Sequence, residues 1–477
     1  MYDKETYLRV SAWFDAQKEK LIRDIQRIVR IPSVSEKGTA GAPFGEACRE
    51  AMDLMLQIGR EHGFYTENYE YYVGSIGEKD KDWGNLIGFW NHLDVVPAGG
   101  GWDYPPFDAV RRGDLIIGRG SQDNKGPAVG MLYVMECIRE LKLDVRHELC
   151  LFVGCDEERG MKDMEYYTSH YPCPALSLIA DCGFPVCYGE KGIVEGKAVS
   201  RDAVSGMILE LYGGSAGNII PDRAVLALKK EAVSQEQAER LSQRLSVEKK
   251  EDRIILTALG SGGHSAFPEG SSNAVYLLAD AVVSEGILSG RDGMILEAIK
   301  TATQGNYGEE LGIAFEDDLS GRLTCVGTVL RLCGGHAELT FNIRYPVTDN
   351  GGKICERLAD YWKERDFQWK TERDSGPNYF DPSHPAVGRL TEVYNGLTKR
   401  QLEPYTMGGG TYARKLPDAF GFGIGNMPEK RKPEMDLLQP GHGNAHGPDE
   451  VLDCERLTEA LKIYVMGLLA LSDISLT

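Results

Sequence analysis

Four places in this chain set oxygen or imidazole donors at the end of an apolar run or in a glycine-rich turn: His92 with Asp94, Asp123, Glu157 with Glu158, and Asp181. Carboxylates and imidazoles are hard or borderline ligands, so the chemistry such a set can do is to hold divalent metal ions. His92 and Asp94 follow Leu86-Ile87-Gly88-Phe89-Trp90, which reads as a buried strand. Residues two apart in a strand share a face, so the acid can fix the tautomer of the imidazole and raise its basicity. The ordinary alternative is a histidine capped by a neighbouring acid in a strand-end loop. Asp123 lies in Gly118-Arg119-Gly120-Ser121-Gln122-Asp123-Asn124-Lys125-Gly126-Pro127, ahead of an apolar segment at helical spacing that runs to about Leu143. Backbone there can come close to an ion or a substrate. Helix capping is the ordinary alternative, and it requires neither the two preceding glycines nor the following Gly-Pro. Asp156-Glu157-Glu158 follows the apolar strand His147 to Gly154; adjacent acids repel unless a cation sits among them, although a solvated loop could also carry them. Asp181 after Leu176-Ser177-Leu178-Ile179-Ala180 repeats the arrangement. The recurrence, more than any single position, points to a metal centre.

The elements that must carry these residues alternate. Apolar residues at helical spacing over residues 5–30 predict one or two helices, stopped by Ile31-Pro32-Ser33, and a further helix is expected from Phe44 to about His62. Tyr65 to Val73 reads as one strand, followed by the His92 strand, the Asp123 turn with its helix, and the Glu157 strand. Alternation of this kind predicts an α/β fold with a mainly parallel sheet, where chemistry gathers at the carboxyl ends of the strands. Between about Gly189 and Ser375 the texture changes. Strands at Met207–Tyr212, Ala224–Lys229, Arg253–Ala258 and Ala337–Tyr345, with helices at Gln235–Leu245, Asn273–Ile287 and Gly352–Arg365, suggest an inserted ferredoxin-like α+β domain. From Asp381 the first style resumes, with helices at His384–Thr398 and Glu455–Leu471. The expected division is a catalytic domain at 1–189 and 377–477 with an inserted lid at 190–376.

A chain of 477 residues exceeds one ordinary core, and 42% apolar with 26% charged content is that of a soluble globular protein. A formal charge of −19 argues against nucleic acid or an anionic membrane as partner. No charged-then-apolar leader and no run of 18 apolar residues is seen, so a cytoplasmic protein is expected. The eleven scattered cysteines read as free thiols. Cys155 and Cys182 adjoin candidate acids but alternate with them, which on a strand turns them to the other face.

Late in the chain, Asn444-Ala445-His446-Gly447-Pro448-Asp449-Glu450 sets His446 in a loop too rich in glycine and proline for regular structure, with His442 shortly before it. Either could be an ordinary surface histidine. At this point the motifs are recognisable together. They are His92-Leu93-Asp94-Val95-Val96-Pro97, Gly101-Trp102 through Pro106-Phe107, Gly118-Arg119-Gly120 with Asp123 and Lys125-Gly126-Pro127, Asp156-Glu157-Glu158, and Asp181 in DCGFPVCYGEKG. They continue with His264 in GGHSAFPEGSSNA, Asn342-Ile343-Arg344-Tyr345-Pro346, Gly408 to Arg414, and His446 to Glu450. Over nearly its whole length the chain resembles the co-catalytic di-zinc exopeptidases that include carboxypeptidase G, aminoacylase, carnosinase and succinyl-diaminopimelate desuccinylase. Within that family it is most similar to the PepV-like bacterial dipeptidases.

The resemblance implies that His92 and Asp181 hold one metal, Glu158 and His446 the other, and that Asp123 bridges them. It implies that Asp94 orients His92 and that Glu157 is the general base. If the strand stays extended only one of the adjacent glutamates can face the metals, so the backbone must bend there. Two divalent ions lower the pKa of a shared water toward ~7 and polarise the scissile carbonyl; zinc is the first choice, and manganese or cobalt also suits the donors. His264 of the lid is the candidate donor to the oxyanion. Arg344, at the end of an apolar lid strand, can grip a substrate carboxylate through paired hydrogen bonds, the alternative being an exposed ion pair with a lid acid. Asn218 and the turn containing Gly409, Gly410 and Thr411 resemble the family's other substrate contacts. A dipeptidase acting on short peptides is thus expected, working as a monomer because the lid is large enough for one chain to supply both surfaces. Two alternatives stand beside it: an amidohydrolase of N-acyl amino acids, and a metal-free peptide-binding relative, which is disfavoured because the ligands and the base are all present. Three departures from the family pattern are visible. Asn124 stands where many relatives have a second Asp, although Asn also occurs there in the family and the ligand set is left intact; Asn91 replaces a usual small residue, and the loop from Asp436 to Ala445, with its extra His442, is less regular than expected.

Overall fold

The computed structural model describes residues 3–476, apart from 426, 429–431, 433, 434, 436 and 437. The chain divides into two compact units: residues 1–189, 379–405 and 411–477 form one, and residues 190–378 with 406–410 form the other.

Among the described residues seven strands of the first unit's sheet run, in order from one edge, Tyr65–Tyr69, Val73–Gly77, Glu148–Gly154, Leu86–His92, Leu176–Ile179, Ala419–Gly421 and Cys187–Glu190. The four central strands, from Glu148–Gly154 to Ala419–Gly421, are parallel, and antiparallel pairs flank them on both sides. The sheet is therefore parallel at its centre and mixed at its edges. Leu86–His92 is buried at every position, as expected of a central strand covered on both faces. Trp90 within it stacks on Phe152 with centroids 4.3 Å apart, and its indole donates to the Ser177 hydroxyl. Each fully buried Phe, Leu or Ile in such a strand contributes about 1.5–3 kcal/mol. Gly88 makes the arrangement possible, because a Cβ there would lie 2.6 Å from Pro174 and 2.9 Å from the Trp90 indole nitrogen.

The helices Lys4–Val29, Gly126–Glu140 and Cys454–Leu471 pack on the sheet and on one another, sharing a core with Glu46–Glu61 and Pro385–Thr398. The residue 5–30 pattern is a single helix, N-capped by Asp3. Tyr65 to Val73, in contrast, is the start of a hairpin rather than one strand. Glu70 and Tyr71 turn it with φ of 56° and 61°, a left-handed pair reached here without glycine.

The second unit is built on an eight-stranded sheet, in the order Ser246–Lys249, Arg253–Leu259, Arg223–Lys229, Ile208–Gly213, Thr324–Cys333, His336–Tyr345, Gly192–Ser200, Phe367–Ser375, antiparallel throughout. Alternate residues of Arg253–Leu259 are buried, the pattern of a strand with one face on a core. The helices Ala274–Ser284, Gly290–Thr303 and Gly351–Lys363 close that core. This is the α+β layer expected of the inserted segment, with the strands Gly192–Ser200, Ser246–Lys249, Thr324–Cys333 and Phe367–Ser375 and the helix Gly290–Thr303 as elements the pattern reading did not name. Among the described residues no helix is long and apolar enough to cross a membrane.

Candidate metal centre

His92 is the last residue of its strand, Glu157 and Glu158 follow Gly154 at the end of the neighbouring strand, and Asp181 follows Ile179 at the end of the next. The parallel register brings these carboxyl ends side by side. Asp123 arrives on the turn before Gly126–Glu140. Gly120 starts that turn with φ 82°, and a Cβ there would lie 2.5 Å from Val95, so only glycine fits. The buried Lys125 pins the turn's far side by donating to the Ile31 carbonyl at 2.6 Å.

Two groups of donors result. His92, Asp123 and Asp181 offer ligand atoms within 4.8 Å of one another, as do Asp123, Glu158 and His446. Asp123 belongs to both and divides its oxygens between them: Oδ1 lies 3.0 Å from His92 Nε2, and Oδ2 lies 3.1 Å from His446 Nε2. Asp181 Oδ2 is 3.5 Å from His92 Nε2, and Glu158 Oε1 is 2.9 Å from His446 Nε2. His446 sits in the left-handed region with φ 63°, a strained setting in its glycine-rich loop. His442 is elsewhere: its Nδ1 lies 2.6 Å from Asp449, whose carboxylate also accepts the Asp103 and Tyr104 N–H groups. The start of that loop, Asp436, lies outside the described residues.

Glu157 is in neither group. The backbone after Gly154 turns sharply, with the N–H groups of Gly160 and Met161 returning to the Asp156 carbonyl, so both glutamates can be presented from one strand end. Asp94 governs that turn. Its fully buried carboxylate accepts the Glu157 N–H at 3.2 Å on one oxygen and the Glu158 N–H at 3.1 Å on the other. Towards His92 Nδ1 the nearer partner is the Asp94 backbone carbonyl at 2.9 Å, with the carboxylate at 3.5 Å.

Charge explains the protonation pattern. Burial pulls the His92 imidazole down, but its hydrogen bonds with Asp123, Asp181 and Asp94 outweigh it and hold the imidazole well above its usual value. Asp123 and Glu158 hold His446 up at about 10. Burial lifts Asp181, Glu158 and, most strongly, Glu157 above the usual carboxylate range. The converging acids thus draw both imidazoles towards their charged form. A divalent ion can displace the protons that charge them, and the donor set of imidazoles and carboxylates fits one.

Several supporting roles are absent from the sequence argument. Arg119 donates to Glu450 at 2.7 Å and to the His446 carbonyl at 3.1 Å, while the other Glu450 oxygen accepts the Gln122 and Asp123 N–H groups. One buried ion pair therefore ties the Asp123 turn to the His446 loop. Asp163 accepts the Cys155 and Asp156 N–H groups, and the Tyr412 hydroxyl donates to it. Burial pushes the Asp163 carboxyl up to about 7. Asn91 donates to Asn124 Oδ1, so the two amides are joined. The motifs containing Arg119, Tyr412 and Glu450 were visible, but nothing linear pairs them.

A cavity of about 540 Å³ adjoins Asp123 and Asp181 and extends to Lys432, Asp453 and Arg456. A larger one of about 730 Å³, lined by Arg9, Lys142, Arg389 and Lys399, contains none of the residues singled out from the sequence.

In the second unit Ile219 pairs with His264, and the Asn218 carbonyl accepts the Ser265 N–H, so Asn218 and His264 are neighbours. The Ser265 hydroxyl and Arg344 Nε both donate to Asn342 Oδ1, at 2.9 and 2.8 Å. Arg344, 7% exposed, also donates to the Gly408 carbonyl, next to Gly409 and Gly410. Thr411 begins the next stretch of the first unit, where its hydroxyl accepts the Ala413 N–H.

The family model of peptidase family M20/M25/M40 matches residues 88–469. The chain belongs to that family. It is 30% identical over 474 residues to the Bacillus subtilis protein named "Putative dipeptidase YtjP", with 96% of this chain and 98% of that protein covered. A Staphylococcus epidermidis protein named "Putative dipeptidase" is 29% identical over 471 residues, covering 95% and 97%. Among solved structures, the di-peptidase Dug1p from Saccharomyces cerevisiae superposes with a TM-score of 0.61 at 12% identity, covering 99% of each chain. Human carnosine dipeptidase 1 gives 0.59 at 13% identity, covering 98% and 99%. At those identities the two structures speak for the fold, an α/β catalytic domain with an inserted α+β lid. Membership of this metal-dependent peptidase family makes the protein a metallopeptidase.

Proposed function

We propose that the protein is a dipeptidase that cleaves short peptides with two divalent metal ions and Glu157 as general base. The observation that carries the reading is the pair of donor groups sharing Asp123, with Glu157 beside them and in neither. In this reading His92 and Asp181 serve one ion, Glu158 and His446 the other, and Asp123 both. When bound, the ions, zinc first and manganese or cobalt as substitutes, supply Lewis acidity and a water that ionises near neutral pH. Glu157 is the residue that would take the proton from that water and return it to the leaving amine. A carboxylate beside the donor groups and in neither of them is placed for both halves of that task. Asp94 holds the Glu157 and Glu158 backbones, and Arg119 with Glu450 keeps Asp123 and His446 in step.

The second unit acts as the lid. His264 donates to the developing oxyanion, Arg344 takes the terminal carboxylate, and Asn218 with Gly409, Gly410 and Thr411 completes the substrate contacts. Both the family relatives' names and the carboxylate-gripping chemistry of Arg344 support a short peptide as substrate. We read the protein as a cytoplasmic monomer; a solution mass of one chain by light scattering tests the latter. The deciding experiment is turnover of a dipeptide, a tripeptide and an N-acetyl amino acid by metal-free protein reloaded with zinc, manganese or cobalt. The dipeptide should be preferred. Preference for the N-acetyl amino acid would replace this reading with an amidohydrolase, and turnover without metal would remove it.

A further inference from the structure

Asp181 leans on two buried amides that the proposed chemistry does not use. Asn124, 1% exposed, donates from Nδ2 to the Ala180 carbonyl at 3.1 Å and to Asp181 Oδ1 at 2.8 Å. Both partners are acceptors, so the NH₂ end of Asn124 must face them and its oxygen must face away. That oxygen meets Asn91, also 1% exposed, at 2.5 Å, and Asn91 must therefore present its own NH₂. The direction of the chain, from Asn91 to Asn124 to Asp181, is fixed by its last acceptor. At the other end Asn91 Oδ1 has no partner among the described residues. A buried amide oxygen left unpaired is a standing cost, and the geometry it secures lies at the other end of the chain. With Oδ1 of Asp181 taken by Asn124, Oδ2 is the oxygen turned towards His92 Nε2.

We propose that Asn91 and Asn124 are positioning residues that act as a single unit on Asp181, keeping one oxygen of that carboxylate aimed into the His92–Asp123 group. An acid at 124 could not do this: it would lose both donations and add negative charge between Asp123 and Asp181. An apolar residue at 91 would leave the Asn124 oxygen buried and unpaired, favouring release of the amide from Asp181. Because each step depends on the one before, removing either amide removes the same support.

The inference rests on Asp181 being a metal ligand, and the test separates the two. Zn²⁺ affinity of metal-free protein, measured by competition with a chromophoric chelator, is compared for wild type, Asn91→Ala, Asn124→Ala, the double variant and Asp181→Ala, alongside thermal stability without metal. Asn91→Ser, smaller yet polar, serves if Asn91→Ala does not fold. Each single Asn variant should weaken one Zn²⁺, the same one that Asp181→Ala loses, by roughly 10- to 100-fold, the usual range for a residue that orients a ligand. The double variant should be no weaker than the worse single one. Losses that add, or a fall in thermal stability with Zn²⁺ affinity unchanged, would overturn the relay while Asp181→Ala still loses one ion. Two ions retained by Asp181→Ala would overturn the ligand reading, and the relay with it.

Discussion

Asp94 is the residue on which the two glutamates depend most directly, and Asp94→Asn isolates that dependence without changing shape. One carboxylate oxygen receives the Glu157 N–H at 3.2 Å and the other the Glu158 N–H at 3.1 Å, in a side chain with no solvent exposure. Whichever way an asparagine sits, its NH₂ faces one of those N–H groups, so one hydrogen bond to a charged group is lost and two donors are set against each other. A hydrogen bond to a charged group is worth about 1.5 to 3 kcal/mol. Expressed at the transition state, that is roughly a 10- to 160-fold loss in kcat/KM. The fall should appear mainly in kcat, because the displaced segment carries the base, with KM for a dipeptide nearly unchanged. Steady-state kinetics under saturating Zn²⁺ and metal analysis of the same samples read both quantities. If Asp94 acted only through His92, the variant would lose an ion from the His92 side and recover full kcat when excess metal restored it. Full recovery would refute the role assigned to the two N–H contacts.

Glu157→Gln should lower kcat by roughly 10² to 10⁴ while both ions stay bound, and loss of one metal equivalent would mean that Glu157 rather than Glu158 is the ligand. Replacing a dipeptide's terminal carboxylate by an amide, or Arg344 by Met, should each cost roughly 2 to 5 kcal/mol in kcat/KM without adding; an amide cleaved as well as the acid by the unmodified enzyme would rule out the Arg344 clamp. Away from the site, the buried His62 lies 3.0 Å from Asp24 and 2.7 Å from Glu136, with Arg27 and Lys20 on those acids. Burial opposes its charge, but the two acids win and raise it above its usual 6.5. A raised imidazole contributes stability that is complete below 6.5 and fades as pH climbs through the raised value. His62→Gln should therefore cost about 3 to 5 kcal/mol at about pH 6 and less at about pH 9, read from denaturant midpoints; an equal cost at both pH values would show that the imidazole is not the charged partner.

The split between what the sequence discloses and what it hides follows the range of the interactions. His92, Asp123, Glu158 and Asp181 are legible because each sits where an apolar run or a glycine turn ends, and strand pairing in a parallel sheet needs only that local pattern to bring such ends together. The turn that presents both glutamates is half-legible: an extended backbone excludes it, but the acceptor that bends it, Asp94, lies 63 residues from Glu157. Arg119 and Glu450 are 331 residues apart, and Asp163 and Tyr412 are 249 apart. No periodicity spans such distances, because the second unit's segment intervenes in the chain. The hairpin at Glu70 and Tyr71 fails for the opposite reason, since its signal is local but its left-handed residues are not the glycine or asparagine that normally announce them. Asn91 and Asn124 combine both difficulties. Each looks like a neutral exchange beside a ligand, and only their contact turns the two exchanges into a single feature that fixes which oxygen of Asp181 faces the site. Candidate donors can thus be picked out at single positions, whereas the orientation of each donor resides in pairs, and pairs are visible only after folding.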